Sequence, residues 1–481
     1  MSAKFLNRDD ERETLCRIIK SARAELFILY GRRGVGKSAL LQATIAEIGL
    51  PAIYYRATRR TLSMQLASLT EAVRDAYPDD HLAGSFASFD DFLAFMSNLA
   101  QKRQQAKKKE PVVAVLDELP YLSEVDPGLL TVLQHWWDDN KRRSNLKLFL
   151  SGSHISFMEK KVLDVAAPLY NRRTGAMKLE ALDYRGVALF FPRYSLIDKI
   201  VVYAILGGMP SYLEQFNPDE SIQENVKDQI LRERTYLSEE PEWLLLEDLR
   251  KDITYGSILR AIAHGARKPS DIARAIGKES ASDVTPRLAT LQELGLVIRE
   301  VPITEKTNPR SRSSLYLIAD QYLDFWYRFV DPSRSLVARR MGAQLWGRSI
   351  APALDQYVSF PTFERAARQY LWRALSAELL PKDVEFVDVG NWWGERDVEI
   401  DVVGVNEKRK PSLVGSCKWT RESVDVRDYN TLRDAVAKAQ WSPDRLHFFF
   451  FSKSGFTPGL KALAAKDEKI ILVSLKEMYE A

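Results

Sequence analysis

Three short stretches of the chain carry side chains whose types and spacing could do chemistry on a phosphate. The first, Gly31-Arg32-Arg33-Gly34-Val35-Gly36-Lys37-Ser38, satisfies G-x-x-x-x-G-K-[ST] at every fixed position. Glycines so placed let a loop curl until its N–H groups point inward, and a helix starting at the lysine adds its positive end. Lys37 is expected to reach the β- and γ-phosphates of a bound nucleotide and Ser38 to hold Mg²⁺, with the loop from Gly31 to Ala39 forming the cradle. The second stretch is the pair Asp117-Glu118, which ends the apolar run 112–116. Asp117 is expected in the Mg²⁺ shell and Glu118 as the group that polarises the attacking water. The third is Ser151-Gly152-Ser153, after the run 146–150, where a small polar group can reach the γ-phosphate. Either serine suits that role, and Ser153 is carried forward. Arg172 and Arg173 are the candidates for stabilising transition-state charge. Spacing does not say which arginine serves, or whether it serves its own subunit or a neighbour, so a homo-oligomer stays open.

These groups need a scaffold that brings strand ends together. Residues 26–30 read as a buried strand ahead of the loop, and 39–48 as the helix after it, stopped by Gly49 and Pro51. Further strands are expected at 52–56, 112–118, 146–150 and 177–182. Runs as continuously apolar as 112–116 suit a parallel sheet covered on both faces, whose ligands sit at the C-terminal edge. Ser88, with Asp91 three residues on, reads as the cap of a helix. Phe5-Leu6-Asn7-Arg8 leads into an amphipathic helix that either packs on the base or covers the sheet edge. The run from Lys102 to Lys109 reads as a solvated helix end rather than a DNA contact.

At 481 residues the chain is too long for a single core. A formal net charge of +4 makes any nucleic-acid surface a local patch. The two cysteines, Cys16 and Cys417, have no metal-ligand spacing and point to a reducing compartment. No apolar run approaches the roughly 20 residues of a membrane span, and the first residues lack a signal-peptide core, so the expected location is cytoplasmic, with no membrane partner.

Taken together, Phe5-Leu6-Asn7-Arg8, GRRGVGKS, VVAVLDE, LFLSGS, PLYNRRTG and the segment Gly207-Gly208-Met209-Pro210-Ser211-Tyr212-Leu213 resemble the archaeal-type ATPase family, a branch of the AAA+/STAND-like P-loop ATPases. The resemblance implies ATP as the nucleotide, a lid carrying the Gly-Gly-x-Pro segment, a winged helix and a nuclease-like tail. The expected fold class is α/β: a P-loop parallel sheet with a helical lid, a winged helix-turn-helix and a C-terminal α/β nuclease-like domain. The expected boundaries are 1–182 for the ATPase core, 183–250 for the lid, 251–335 for the winged helix and 336–481 for the tail.

In the winged helix, helices are expected around Ile258, over 269–277 and over 282–294, with a wing of 297–299 and 315–318. Lys306, Arg310 and Arg312 at the wing tip are the expected DNA-phosphate contacts, although winged helices also dock proteins. The aromatic cluster from Tyr322 to Phe329 reads as core. In the tail, a helix with Glu364, a strand with Asp397, Glu399 and Asp401, and a strand ending in Lys418 resemble the PD-(D/E)xK nucleases. That pattern expects Glu where this chain has Ser416. A hydroxyl supplies little of the lost charge to a hard cation, so Glu364 or Glu399 would have to compensate. The expected protein is an ATP-binding and ATP-hydrolysing switch coupled to a nuclease-like domain on DNA. The competing expectation is a regulatory or scaffolding ATPase with an inactive tail that binds protein partners.

Overall fold

A computed structural model describes residues 7–82, 84–105, 110–142, 144–249, 252–305, 313–394 and 398–480. The chain divides into two compact units, Met1–Ala181 with Met209–Ser211, and Leu182–Gly208 with Tyr212–Ala481.

The first unit is built on a five-stranded sheet of β1 (Glu25–Tyr30), β2 (Ala52–Arg56), β3 (Val112–Asp117), β4 (Leu146–Gly152) and β5 (Gly175–Lys178), in the order β2-β3-β4-β1-β5. Every neighbouring pair is parallel. All residues of β3 and β4 are buried, which is why these strands are apolar without alternation. Lys147 is the exception inside β4. It is fully buried, and its ammonium donates to the Ser21 carbonyl and hydroxyl, both at 2.8 Å, and to the Arg23 carbonyl. Burial pushes it down to about 8. The last strand is shorter and earlier than the expected 177–182. It starts at Gly175, where a Cβ would lie 2.7 Å from the Phe27 ring, so a larger residue could not pair with β1 there. The helix after the phosphate loop, Lys37–Ile48, starts at the lysine, ahead of the apolar stretch 39–48, and Gly49 ends it with φ 68°. Ser88 caps the helix Phe89–Gln105 by accepting from the Asp91 N–H at 3.1 Å. At the end of that helix Lys102 and Arg103 both pair with Asp80, and Lys107 to Lys109 lie outside the described residues.

In the second unit, helices Leu196–Leu206, Ile222–Gln229 and Tyr236–Asp248 lie in the stretch before residue 250. Three further helices, Ile253–Ala263, Pro269–Ala275 and Thr285–Glu293, are closed by an antiparallel pair, β6 (Val297–Glu300) and β7 (Leu315–Ile318). The third helix starts later than the expected 282, because Pro286 fits only its first turn and a 3₁₀ turn, Ala281–Asp283, precedes it. Tyr322, Phe325, Trp326, Tyr327 and Phe329 are all buried, as core residues should be. The C-terminal strands are β8 (Asp388–Trp393), β9 (Glu399–Val405), β10 (Pro411–Lys418), β11 (His447–Ser452) and β12 (Ile470–Ser474), in the order β12-β11-β10-β9-β8. β8, β9 and β10 pair antiparallel, and β10, β11 and β12 parallel. β11 carries four consecutive phenylalanines and is buried throughout. Ile303, just after β6, packs into this core with Ile400, Val403 and Phe448, so the three-helix segment and the C-terminal sheet share one interior.

Candidate active site

Three strand ends meet at one edge of the first sheet. β1 empties into the glycine loop, β3 into Asp117-Glu118, and β4, between them, into Ser151-Gly152-Ser153. Gly31 passes so close to the chain after β5 that a Cβ there would lie 2.4 Å from the Leu179 carbonyl oxygen. Gly34 has φ 81°, and a Cβ there would lie 2.3 Å from the Ser211 hydroxyl. The Met209–Ser211 piece of the Gly-Gly-Met-Pro segment therefore rests on the loop, where the Ser211 N–H donates to the Gly34 carbonyl at 3.3 Å.

Lys37 is 5% exposed, and its ammonium donates to the Gly31 and Arg32 carbonyls at 2.8 and 3.0 Å. Burial pulls its pKa down, and the carboxylates of Glu118 and Asp117 push it back up. The Ser38 hydroxyl donates to Asp117 Oδ2 at 2.6 Å. Asp117 is completely buried and accepts from Tyr54 as well, at 2.8 Å. The hydroxyl and carboxylate side by side suit Mg²⁺, which takes one or two protein oxygens and fills its other positions with water and phosphate oxygens.

Glu118 adopts φ 61°, a left-handed backbone that a non-glycine residue enters at a cost. Its carboxylate accepts from the Ser153 N–H at 3.1 Å and the Ser153 hydroxyl at 2.7 Å. Ser151, by contrast, is fully buried and its hydroxyl makes no hydrogen bond among the described residues. The structure thus brings Lys37, Ser38, Asp117, Glu118 and Ser153 together. Arg172 pairs with Asp138 at 3.0 Å. Arg173 donates to the Leu163 carbonyl at 3.2 Å and lies over the Tyr170 ring. In this conformation both arginines are engaged on the unit's own surface rather than on the loop.

Motif reading named Arg8 in the entry segment without this role and missed Tyr54 and Arg56. Arg8 is buried and donates to the Val35 carbonyl at 3.3 Å and the Glu180 carbonyl at 2.5 Å, bracing the loop from behind. Tyr54 anchors Asp117, and its hydroxyl is pushed up by burial and by that carboxylate. Arg56 ends β2 in register with Asp117, and its charge lowers the Lys37 pKa. The position of Tyr54 and Arg56 on a strand whose C-terminal end lies at the ligand edge was the available signal.

Residues 5–216 match the family model of an ATPase domain predominantly from Archaea. This part of the chain is similar to archaeal-type ATPase domains. Residues 326–429 match a second family, described as archaeal and bacterial proteins of unknown function. An uncharacterized protein of Methanocaldococcus jannaschii is 28% identical over 437 residues, spanning 91% of this chain and 92% of its own length. Among solved structures, the Walker-type ATPase of Pyrococcus abyssi is similar to this chain at a TM-score of 0.50 and 20% identity, over 67% of this chain and 96% of its own. The Aeropyrum pernix ORC2 protein is similar at a TM-score of 0.41 and 18% identity, over 70% and 94%.

The residues singled out in the tail of the chain fall into a second cluster. Asp401 on β9 accepts from the Cys417 N–H at 2.7 Å and from the Ser416 hydroxyl at 3.3 Å, so the serine spends its hydroxyl on the carboxylate. Glu364 is 7% exposed, and burial, with Asp401 as the next cause, raises its pKa well above the carboxylate range. Arg368, one helical turn on, lies 3.8 Å from Glu364 and 3.9 Å from Glu300. Glu399 is exposed, and Lys418 lies 3.8 Å from Asp428. Among the described residues no group of three His, Cys, Asp or Glu side chains is placed to hold a metal ion. Asp397, Lys306, Arg310 and Arg312 lie outside the described residues. No helix of the described chain is long and apolar enough to cross a membrane.

Proposed function

We propose that the chain is an ATP-hydrolysing switch whose nucleotide state is read by its lid and winged helix and passed to a nuclease-fold tail that holds DNA without cutting it. The observation that carries the ATPase half is the 2.6 Å contact between Ser38 and the buried Asp117, which joins the phosphate loop to β3. In this reading Lys37 exchanges its loop carbonyls for the β- and γ-phosphates, and Ser38 and Asp117 hold Mg²⁺. The ion would supply charge neutralisation on the phosphates. Glu118 accepts a proton from, and orients, the attacking water, while Ser153 fixes the Glu118 carboxylate.

The lid assignment draws on the contact between Ser211 and Gly34, since a change in the loop on nucleotide binding acts first on that segment. The winged-helix assignment draws on three helices followed by an antiparallel pair. The non-cutting tail draws on Ser416, Arg368 and the buried Glu364, which leave the carboxylates protonated or paired.

The test is ATP turnover by the full chain with and without duplex and branched DNA, alongside a cleavage assay in Mg²⁺ and Mn²⁺. Lys37→Ala should abolish turnover, and DNA should change the wild-type rate without being cut. Cleavage that disappears in Asp401→Ala would overturn the non-cutting tail. Turnover indifferent to every DNA would favour the scaffolding role, with protein partners in place of nucleic acid.

A further inference from the structure

Between the helix Ile222–Gln229 and the turn after Arg334–Ala338 lies an open cavity of about 920 Å³. Its lining includes Lys227, Arg232, Arg234 and Arg340, against two acids, Asp228 and Glu233. Among the described residues none of these four cations lies within ion-pair distance of a carboxylate. Two of the four are held in a backbone conformation that arginine rarely takes: Arg234 at φ 65° and Arg340 at φ 59°. The two walls are pinned at the base. A Cβ on Gly342 would lie 3.0 Å from Leu231 Cβ and 3.1 Å from its carbonyl oxygen, tighter than ordinary contact, so glycine lets the two walls approach closely here.

We propose that this cavity clamps the phosphodiester backbone of a nucleic acid. The inference rests on the reading that the chain works on DNA, and names a surface for it separate from the wing. Guanidinium forks bind phosphate oxygens in pairs, and left-handed strain at two facing arginines is the kind of local cost that persists where side-chain direction matters. No aromatic residue lines the cavity, so it offers no face on which a base or a small cofactor ring would stack. Cations on two walls of an open trough instead suit a charged strand passing through, recognised by its backbone and not by sequence.

Fluorescence anisotropy of a labelled duplex with the full chain, over a salt series, tests this. Arg232→Glu with Arg340→Glu should weaken binding at least about tenfold and make the slope of log K against log salt shallower by about 0.9 for each arginine removed. ATP turnover without DNA should be unchanged, which shows that the variant is folded. Arg340→Gly removes one cation and accepts the φ of 59°, so its melting temperature should hold or rise while duplex affinity falls. Wild-type affinity and slope in the double variant, with binding lost in Arg310→Glu/Arg312→Glu, would overturn the clamp and leave the DNA reading intact. No duplex binding by the wild type at low salt would overturn both. Inorganic tripolyphosphate binding that the cavity variant loses, with duplex affinity untouched, would replace the nucleic acid by a free polyphosphate and overturn the proposal.

Discussion

Ser153→Ala removes one atom from the ATPase site and so isolates the part of catalysis that depends on where Glu118 points. The Ser153 hydroxyl is one of two donors on the same Glu118 oxygen, at 2.7 Å against 3.1 Å for the backbone N–H, and so the stronger of the two. A hydrogen bond to a charged group contributes about 1.5–3 kcal/mol. If the whole of that holds the carboxylate in its working orientation, kcat should fall by about 10- to 150-fold. KM for ATP should move by less than about threefold, because among the described residues the Ser153 side chain and N–H bond to Glu118, and the loss is confined to the transition state. Steady-state turnover with a coupled phosphate assay gives both constants, and calorimetry of ATP binding to the variant checks that the ground state is intact. Ser153→Thr keeps a hydroxyl and should recover part of the rate, which a mere packing defect would not allow. A kcat at or above the wild-type value would refute the reasoning, since it would mean that the serine holds Glu118 away from its task.

Tyr54→Phe should destabilise the first unit by about 1–3 kcal/mol in urea melts, the cost of withdrawing one donor from the fully buried Asp117. Because burial and Asp117 push the Tyr54 hydroxyl up, that loss should be the same at pH 6 and pH 9; a loss that shrinks across this range would contradict it. Asp324 is raised from 3.8 to about 6, chiefly by burial, with Arg328 and Arg365 opposing. An acid raised in the folded state binds its proton there when the unfolded chain has released it, so stability is full below about pH 4 and falls as pH rises through 6. Asp324→Asn should therefore gain on the wild type across that window, by up to about 3 kcal/mol, as read from paired melts at pH 4.5 and 7.5. A difference that does not change with pH would refute it.

The catalytic strand ends were legible because the phosphate loop and the paired carboxylates demand fixed residue types at fixed spacing, and Lys37, Ser38, Asp117 and Glu118 meet where the pattern places them. Tyr54 and Arg8 were not legible. Tyr54 reaches Asp117 across 63 residues of chain and Arg8 reaches Val35 and Glu180 across 27 and 172, and nothing in the local sequence marks those contacts. Element ends slipped where packing overrode pattern. β5 starts at Gly175 because the Phe27 ring leaves no room for a side chain, and the third helix starts at Thr285 because a proline follows. The buried Lys147 shows the same limit from the other side, since a lysine in an apolar strand reads as an interruption until its three acceptors are seen. In the tail, the nuclease-like pattern singled out Asp401 and Ser416, whose contact the structure shows, but the arginine that holds Glu364 belongs to helical spacing and carries no motif.

The most direct measurement is isothermal calorimetry of ATP with magnesium into the full chain and into Lys37→Ala. The account predicts a saturable heat with micromolar affinity in the wild type and none in the variant. An equal heat in both proteins, or none in the wild type at high micromolar concentrations, would contradict the claim that the Gly31–Ser38 loop grips the triphosphate.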